Sequence, residues 1–194
     1  MVVICAKPWF VYAHPGYTRV SLLDYTTADF GDKGQEARMR HLTNLGIQKK
    51  HKDWAAHKHE TVVSCDQLAE YLVSEKKLAS KEEYDTKVTA RINEVMRLMW
   101  LQMKDKIDRK FGCFEVFGFD FMLDETLAPF LLEVNMNPAM FLDTKTMEDL
   151  LPKLVTDCCN LAVEIHQPGK QESSSAAINE LLKTKCLLPY EVLH

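Results

Sequence analysis

The chain has 194 residues, of which 46% are hydrophobic and 27% are charged, and its formal net charge is −4. This length and balance are typical of a globular protein with a hydrophobic core, and the negative charge gives no indication of nucleic-acid binding. Apolar runs are shorter than the ~20 residues of a membrane-spanning helix, and the first residues lack the basic region of a signal peptide.

The N-terminal segment predicts short strands. Apolar runs over 2–5 and 9–12 and a third run over 17–23 are separated by turns at Lys7-Pro8 and His14-Pro15-Gly16. A strand at the first residue needs pairing partners, and few candidates follow, so we expect further sequence upstream. Residues 24–40 are polar and contain two glycines, which predicts a loop.

A basic, histidine-rich run follows the segment His41-Leu42-Thr43-Asn44 and extends from Lys49 to His59. One interpretation is a solvated loop. The other is a contact surface for an acidic partner, where charge contributes to association rate more than to affinity. A zinc site made by the histidines at positions 51, 57 and 59 is a weaker alternative, because no cysteine or acid completes a usual spacing.

Helices are predicted over 62–77, from Ser80 to about Ile107, and over 150–166. The first has Leu68, Tyr71 and Leu72 on one face. The second begins with the S-x-x-E form of a capping box, and the third has Pro152 in its first turn. Apolar residues at steps of three and four predict the buried stripes. These are Val88, Ile92, Val95, Met99, Met103 and Ile107 in the second helix, and Leu154, Cys158, Leu161, Ala162 and Ile165 in the third.

The stretch from 114 to 140 predicts a β-hairpin with polar residues inside two apolar runs. The first run contains Asp120, and the second contains Glu133 and Asn135, two residues apart and therefore on one face of a strand. If the turn is centred near Thr126 and Leu127, Asp120 lies opposite Glu133 on the neighbouring strand.

This set of oxygen-bearing side chains predicts a cation site. Buried carboxylates without compensation are costly, so two side by side favour a hard cation such as Mg²⁺ or Mn²⁺ bound together with the phosphates of ATP. The set leaves coordination positions free for phosphate and water. The structural alternative is that Asp120 and Glu133 are exposed residues at the edge of a sheet.

Three ordered motifs resemble the tubulin tyrosine ligase family, an ATP-grasp family. The hairpin sequence FEVFGFDFMLDETLAPFLLEVNMNPAM is similar to one family signature, HLTN at His41 to Asn44 to a second, and HPGYTR ending at Arg19 to a third. The likeness covers about 2–166, and the ending LLEVNMNPAM is similar to the branch that contains the tubulin polyglycylases.

The resemblance implies ATP-dependent ligation of a free amino acid to tubulin or a related acidic protein. ATP phosphorylates an acceptor carboxylate, and the amine of glycine, glutamate or tyrosine displaces the phosphate. By match to the family motifs, Asp120, Glu133 and Asn135 hold the metal and ATP, with Glu133 catalytic. In the same way Arg19 is catalytic and faces the acceptor.

The resemblance also assigns Thr43 and Asn44 to the substrate side of the site. The run from Lys49 to His59 becomes a contact for glutamate-rich C-terminal tails of tubulin in microtubules, an inference from charge alone. These partners place the protein in the cytoplasm, on microtubules or the ciliary axoneme, with no membrane or nucleic-acid partner.

The expected fold is α+β: a partial ATP-grasp domain, mainly antiparallel, with the metal-site hairpin packed by long helices. Residues 1–166 correspond to the C-terminal portion of the catalytic domain, and 167–194 to a linker and short tail. The lysine-bearing nucleotide lobe that precedes this segment in the family is not part of the sequence. Two alternatives therefore remain, a non-catalytic fragment that binds microtubules or acidic tails, and another ATP-grasp carboxylate–amine ligase. HLTN argues against the latter.

Overall fold

A computed structural model describes residues 1–6 and 9–166, which form an α+β structure of short antiparallel strands and helices. The strands are β1 (Val2–Ile4), β2 (Phe10–Tyr12), β3 (Tyr17–Arg19), β4 (Val62–Ser64), β5 (Phe114–Val116), β6 (Gly118–Leu123) and β7 (Pro129–Asn135). The helices are α1 (Gln35–His41), α2 (Leu45–Gln48), α3 (Trp54–His57), α4 (Cys65–Ser74), α5 (Lys81–Tyr84), α6 (Ala90–Met103) and α7 (Lys145–Ile165). The turn predicted at Lys7-Pro8 and the linker and tail over 167–194 lie outside the described residues.

All described strand pairs are antiparallel. A three-stranded sheet has the order β2-β1-β5, and two-stranded sheets are formed by β3 with β4 and by β6 with β7. No helix in the described part of the chain is both long and apolar enough to cross a membrane.

The described chain divides into two compact units. Among the described residues, the first contains 1–6, 9–14, 78–139 and 153–166, and the second contains 15–77 and 140–152. The core of the first unit is built on β1 and β2, whose six residues are all buried. Trp100 of α6 is fully buried and meets Trp9 edge to face at 5.1 Å between ring centroids. Leu161 and Ile165 of α7 close this core, as their spacing predicts.

The helical stretch that begins after Ser80 has a different buried face from the predicted one. It runs through α5, a π-helical segment (Asp85–Thr89), α6 and a 3₁₀ turn to Lys106, close to the predicted end. Val88 is buried as expected, but the next buried residues are Met96 and Trp100. A π turn underwinds the helix, so the residues after it no longer follow a regular 3.6-residue count.

Three predictions were wrong in the second unit. The expected loop over 24–40 contains α1, with an acid in its first turn and three basic residues in its last, a pattern that suits the helix dipole. The helix expected from Val62 begins at Cys65, because the β-branched residues before it form β4. Tyr71, expected on the buried face of that helix, is 59% exposed.

The last helix begins at Lys145 rather than at residue 150, so Pro152 is inside the helix and not in its first turn. The third strand, expected over 17–23, ends at Arg19. One further backbone bond, from Val20 N to Thr61 O at 2.9 Å, extends its pairing with the residues before β4.

Candidate functional site

The turn between β6 and β7 is held by Asp124. Its Oδ1 accepts hydrogen bonds from Thr126 N (2.8 Å), Thr126 Oγ1 (2.7 Å) and Ala128 N (2.9 Å). These bonds hold the pKa of Asp124 below its usual value, and the bond from the Thr126 side chain contributes most. Leu127 takes a positive φ of 67°. The turn is therefore ordered by its own side chain, and it sets the register of the hairpin.

The register brings the predicted acids together. Asp120 is paired with Glu133, as the sequence predicts, and Gly118 is paired with Asn135. Nearer the turn, however, Phe121 pairs with Leu131, so Leu132 is an extra residue on β7 and forms a bulge. Bulges raise the local twist and re-aim side chains, and they are frequent beside active sites.

The two faces of the hairpin differ sharply in chemistry. Phe119, Phe121 and Val134 pack against the core of the first unit. On the other face Met122, Phe130 and Leu132 are more than half exposed. The acids share that face because they alternate with the core-facing Phe119, Phe121 and Val134, and the bulge lets Leu132 and Glu133 lie on the same side. Packing of one face thus fixes which way the acids point.

Glu133 and Asn135 are in direct contact. Asn135 Nδ2 donates to Glu133 Oε1 at 3.2 Å, which orients the carboxylate and leaves the amide oxygen of Asn135 outside that bond. Glu133 is exposed and Asp120 half-buried. The expected cost of burying two carboxylates therefore does not apply to Glu133, because water reaches it.

Gly118 supports this arrangement and was not singled out in the sequence. A Cβ at this position would lie 3.0 Å from Cβ of Pro138 and 3.6 Å from Cβ of Asn135. A side chain at this position would require Pro138 to shift by a few tenths of an ångström, so glycine suits the close approach of the chain after Asn135. A glycine inside a strand is the signal for such an approach.

The donor set suits a hard cation. Two carboxylates and an amide oxygen are the ligand types that Mg²⁺ accepts when it keeps water or phosphate in its other positions. Among residues 1–6 and 9–166, no group of three or more His, Cys, Asp or Glu side chains is arranged to hold a metal. The zinc site considered for the histidines at 51, 57 and 59 is therefore not formed, whereas the hairpin set contains two acids and an amide.

Arg19 lies at the end of β3 in the second unit, half-buried. Its Nη2 donates to Tyr17 Oη at 3.3 Å, and its guanidinium lies 5.7 Å from the centre of the Tyr17 ring. The two residues are two apart on one strand and so share a face. Tyr17, which the sequence reasoning missed, therefore orients this arginine.

Asn44 caps the helix α2. Its Oδ1 accepts from Gly46 N at 2.8 Å, so the side chain has a local structural bond in addition to the substrate role expected for Thr43 and Asn44. Gln48, the last residue of α2, is fully buried. Gln48 Nε2 donates to Met39 O (2.6 Å) and Leu42 O (2.8 Å), and its Oε1 accepts from Leu22 N (3.0 Å).

His41, the first residue of the HLTN motif, is held by Asp29. Its Nε2 lies 2.8 Å from Asp29 Oδ1, while Arg40 Nε donates to Asp29 Oδ2 at 2.9 Å. Two hydrogen bonds lower the pKa of Asp29, and the bond with His41 contributes more than the bond with Arg40. The exposed rings of Tyr25 and Phe30 lie 5.7 Å and 4.8 Å from the imidazole.

The basic run is partly neutralised within its own unit. Lys49 Nζ lies 2.9 Å from Asp143 Oδ2, and His57 Nδ1 lies 3.0 Å from Glu60 Oε1. His59 Nδ1 accepts from Lys145 N at 3.0 Å. The positive surface is therefore smaller than the sequence suggests, and Lys50 and Lys52 are two exposed lysines within it.

Comparison with known proteins establishes the family. A profile of the Tubulin-tyrosine ligase family matches residues 3–175. The chain belongs to this family. The resemblance inferred from the three motifs is thereby confirmed.

Several curated proteins are similar to this family member. Protein polyglycylase TTLL10 of Rattus norvegicus is 31% identical over 170 residues, which are 86% of this chain and 24% of that protein. Inactive polyglycylase TTLL10 of Homo sapiens is 29% identical, with coverages of 84% and 24%. Probable tubulin polyglutamylase TTLL2 of Mus musculus is 31% identical, with coverages of 80% and 28%.

Two of these three relatives are polyglycylases by name, in agreement with the predicted branch. The chain spans about a quarter of the length of the curated relatives it matches.

Proposed function

We propose that this chain is part of an ATP- and Mg²⁺-dependent ligase that joins an amino acid to tubulin. The observation that carries the proposal is the pairing of Asp120 with Glu133 on the open face of the hairpin, beside Asn135. Membership of the Tubulin-tyrosine ligase family supports it, as do relatives named as a polyglycylase and a probable tubulin polyglutamylase. The partial ATP-grasp fold is part of the same proposal.

In this proposal the hairpin holds the metal, with Mn²⁺ able to replace Mg²⁺. Asp120 and Glu133 supply the negative ligands from neighbouring strands, and Asn135 adds a neutral oxygen while its amide nitrogen orients Glu133. A bound Mg²⁺ would neutralise charge that develops on the phosphates of ATP. Because the bond from Asn135 occupies Glu133 Oε1, it leaves Oε2 for a cation.

The reaction that fits the family is amide formation in two steps. A carboxylate of the acceptor takes the terminal phosphoryl group of ATP, and the amine of glycine, glutamate or tyrosine then displaces phosphate. ADP, phosphate and an amide bond are the products. Arg19, with its guanidinium held by Tyr17, would face the acceptor, and Thr43 and Asn44 would line the substrate side. Tubulin places this activity in the cytoplasm, at microtubules or the ciliary axoneme.

A metal-binding measurement tests the ligand set. Glu133→Gln removes the negative charge of one ligand and keeps the shape of the side chain. The affinity for Mn²⁺ in the presence of ATP should fall at least about tenfold, because replacing a residue that only supports a metal ligand already lowers metal affinity ~10–100-fold. Manganese paramagnetic resonance measures this without turnover. Glu125→Gln, in the exposed turn of the same hairpin, is the matched control and should bind as the wild type. Equal affinity in both variants refutes the assignment.

Turnover is tested with the whole chain. Tubulin, ATP and Mg²⁺ are incubated with labelled glycine, glutamate or tyrosine, and incorporation is counted. Transfer of one amino acid that is lost in Glu133→Gln supports the proposal. Absence of transfer with all three excludes ligation by this chain alone.

The second candidate is a non-catalytic module that binds acidic tubulin tails. It is favoured by the human relative that is named inactive. Exposed Lys50 and Lys52 would supply the positive charge, a contribution that salt weakens.

Co-sedimentation tests this candidate. Replacing Lys50 and Lys52 with glutamine should reduce binding to microtubules several-fold at low salt, and removal of the tubulin tails should have the same effect. The matched control replaces Lys76 and Lys77, two exposed lysines of the same unit, with glutamine. Binding that is insensitive to the tails contradicts this role for the basic run.

A further inference from the structure

Two cysteines lie opposite each other where β1 ends and β5 begins. The strands pair Val3 with Glu115 and Ile4 with Phe114. One step further, the backbone N of Cys5 donates to the carbonyl oxygen of Cys113 at 2.8 Å. The pairing therefore continues to these residues, and Cys5 lies opposite Cys113, although 107 residues separate them in the sequence.

The backbone geometry at such a pair is compatible with a disulfide. Residues that face each other across an antiparallel pair carry their side chains on the same face, with Cβ atoms ~4.5–5.5 Å apart. Their Cα atoms are ~5.5 Å apart when they are hydrogen-bonded, within the ~4.4–6.8 Å found for disulfides. Both thiols are free in the structure. The two Cβ atoms would have to move roughly 1 Å closer to reach the ~3.5–4.5 Å of a disulfide.

The two thiols differ in access. Cys113 is exposed, whereas Cys5 is 4% exposed. Burial raises the pKa of Cys5, and the nearby guanidinium of Arg109 opposes that effect. Cys113 is thus the sulfur that a dissolved reagent meets first, and Cys5 is in place to react second.

The surroundings keep the end of this strand pair ordered. His166 Nε2 lies 3.0 Å from Cys5 O and 3.2 Å from Gly112 N, and it can donate to the first or accept from the second. On the other side the guanidinium of Arg109 stacks 5.1 Å above the Trp9 ring. Because no cluster of three or more metal-donor side chains occurs in the described residues, two thiols alone favour redox chemistry over a metal centre.

We propose that Cys5 and Cys113 form a redox-reactive dithiol that takes a low-molecular-weight disulfide such as oxidised glutathione. The thiolate of Cys113 attacks one glutathione sulfur, which forms a mixed disulfide and releases one glutathione thiolate that takes up the proton lost by Cys113. The thiol of Cys5 then loses its proton and attacks the Cys113 sulfur, and the second glutathione leaves with that proton. The two protein thiols lose two electrons, and glutathione disulfide gains them.

Peptide mapping of the full chain under non-reducing conditions tests this site. Trypsin releases Cys5 in residues 1–19 and Cys113 in residues 111–145, and neither peptide contains another cysteine. After exposure to oxidised glutathione the two peptides should be found joined. The protein should then contain two fewer maleimide-reactive thiols than the reduced protein, and dithiothreitol should restore both.

Matched variants make the result specific. Cys159→Ser removes another exposed thiol and should retain the crosslink. Cys113→Ser should abolish it and leave Cys5 unmodified, and because Cys113 is exposed this variant does not depend on repacking the core. Wild-type protein that carries glutathione on Cys113 without any crosslink overturns the proposal, and so does a crosslink that joins Cys113 to a different cysteine.

Discussion

Buried Gln48 is the residue on which the HLTN segment depends. One amide group bonds to three backbone groups from two separate stretches of chain. A glutamine among lysines gives no sign of such burial in a sequence, because it fits an exposed helix equally well. The opposition of Asp120 and Glu133, in contrast, was predicted from a turn centred near Thr126 and Leu127. In the structure the turn is centred on Thr126, and the bulge at Leu132 makes up the difference, so the pair forms although the bulge itself was not predicted. The exposure of Glu133 depends on the surrounding elements, so it could not be predicted from the local sequence.

Replacing Gln48 with leucine should destabilise the protein by roughly 3 kcal/mol, because Leu22 N–H and the carbonyls of Met39 and Leu42 would lose their partner in a buried site. Urea unfolding measures the loss. Gln102→Leu, at an exposed helical position, should change stability by less than about 0.5 kcal/mol. Equal effects would mean that the bonds of Gln48 contribute little.

At the level of elements, the beginning of α4 shows what a sequence reveals and what it hides. Ser64 Oγ accepts from Gln67 N at 3.1 Å, while Gln67 Oε1 accepts from Ser64 N at 2.8 Å. This capping box is visible as S-x-x-Q and marks the start of the helix. The residues before it form a strand because β3 pairs with them, and β3 is distant in sequence.

Ser64→Ala should destabilise the protein by about 1 kcal/mol through loss of the cap. Thermal unfolding by circular dichroism provides the measurement. Ser74→Ala, at the exposed last residue of the same helix, removes only a bond to the Tyr71 carbonyl and should cost less. The prediction is wrong if the variant at position 74 loses as much stability.

For the whole molecule, the core of the first unit combines strands from the N-terminus with α6 and α7. The apolar runs over 2–5 and 9–12 and the stripe of α7 predicted most of these residues. The choice of Met96 and Trp100 in α6 follows from the π segment, an irregularity that no simple period contains. The assignment of 1–166 to one catalytic portion stays a prediction.

Trp100→Ala should cost about 3–5 kcal/mol, as expected for removal of a fully buried aromatic side chain. The ring fills the centre of that core and contacts Trp9 edge to face. Denaturant unfolding followed by circular dichroism measures the change. Trp54→Ala, at a half-buried position, is the control and should cost clearly less. Similar losses in both variants would contradict the central position of Trp100.

The bulge at Leu132 has an arithmetic consequence for the acids. Next to the turn, the paired residues Leu123 and Pro129 enclose an odd number of residues, five. Asp120 and Glu133 enclose an even number, twelve. In a regular hairpin, the number of residues enclosed by each successive pair is either always odd or always even. Without the extra residue, Glu133 would therefore pair with Phe119 and point toward the core. Turn and bulge therefore form a matched pair of irregularities. A one-residue change in the length of either is tolerated only when the other changes with it.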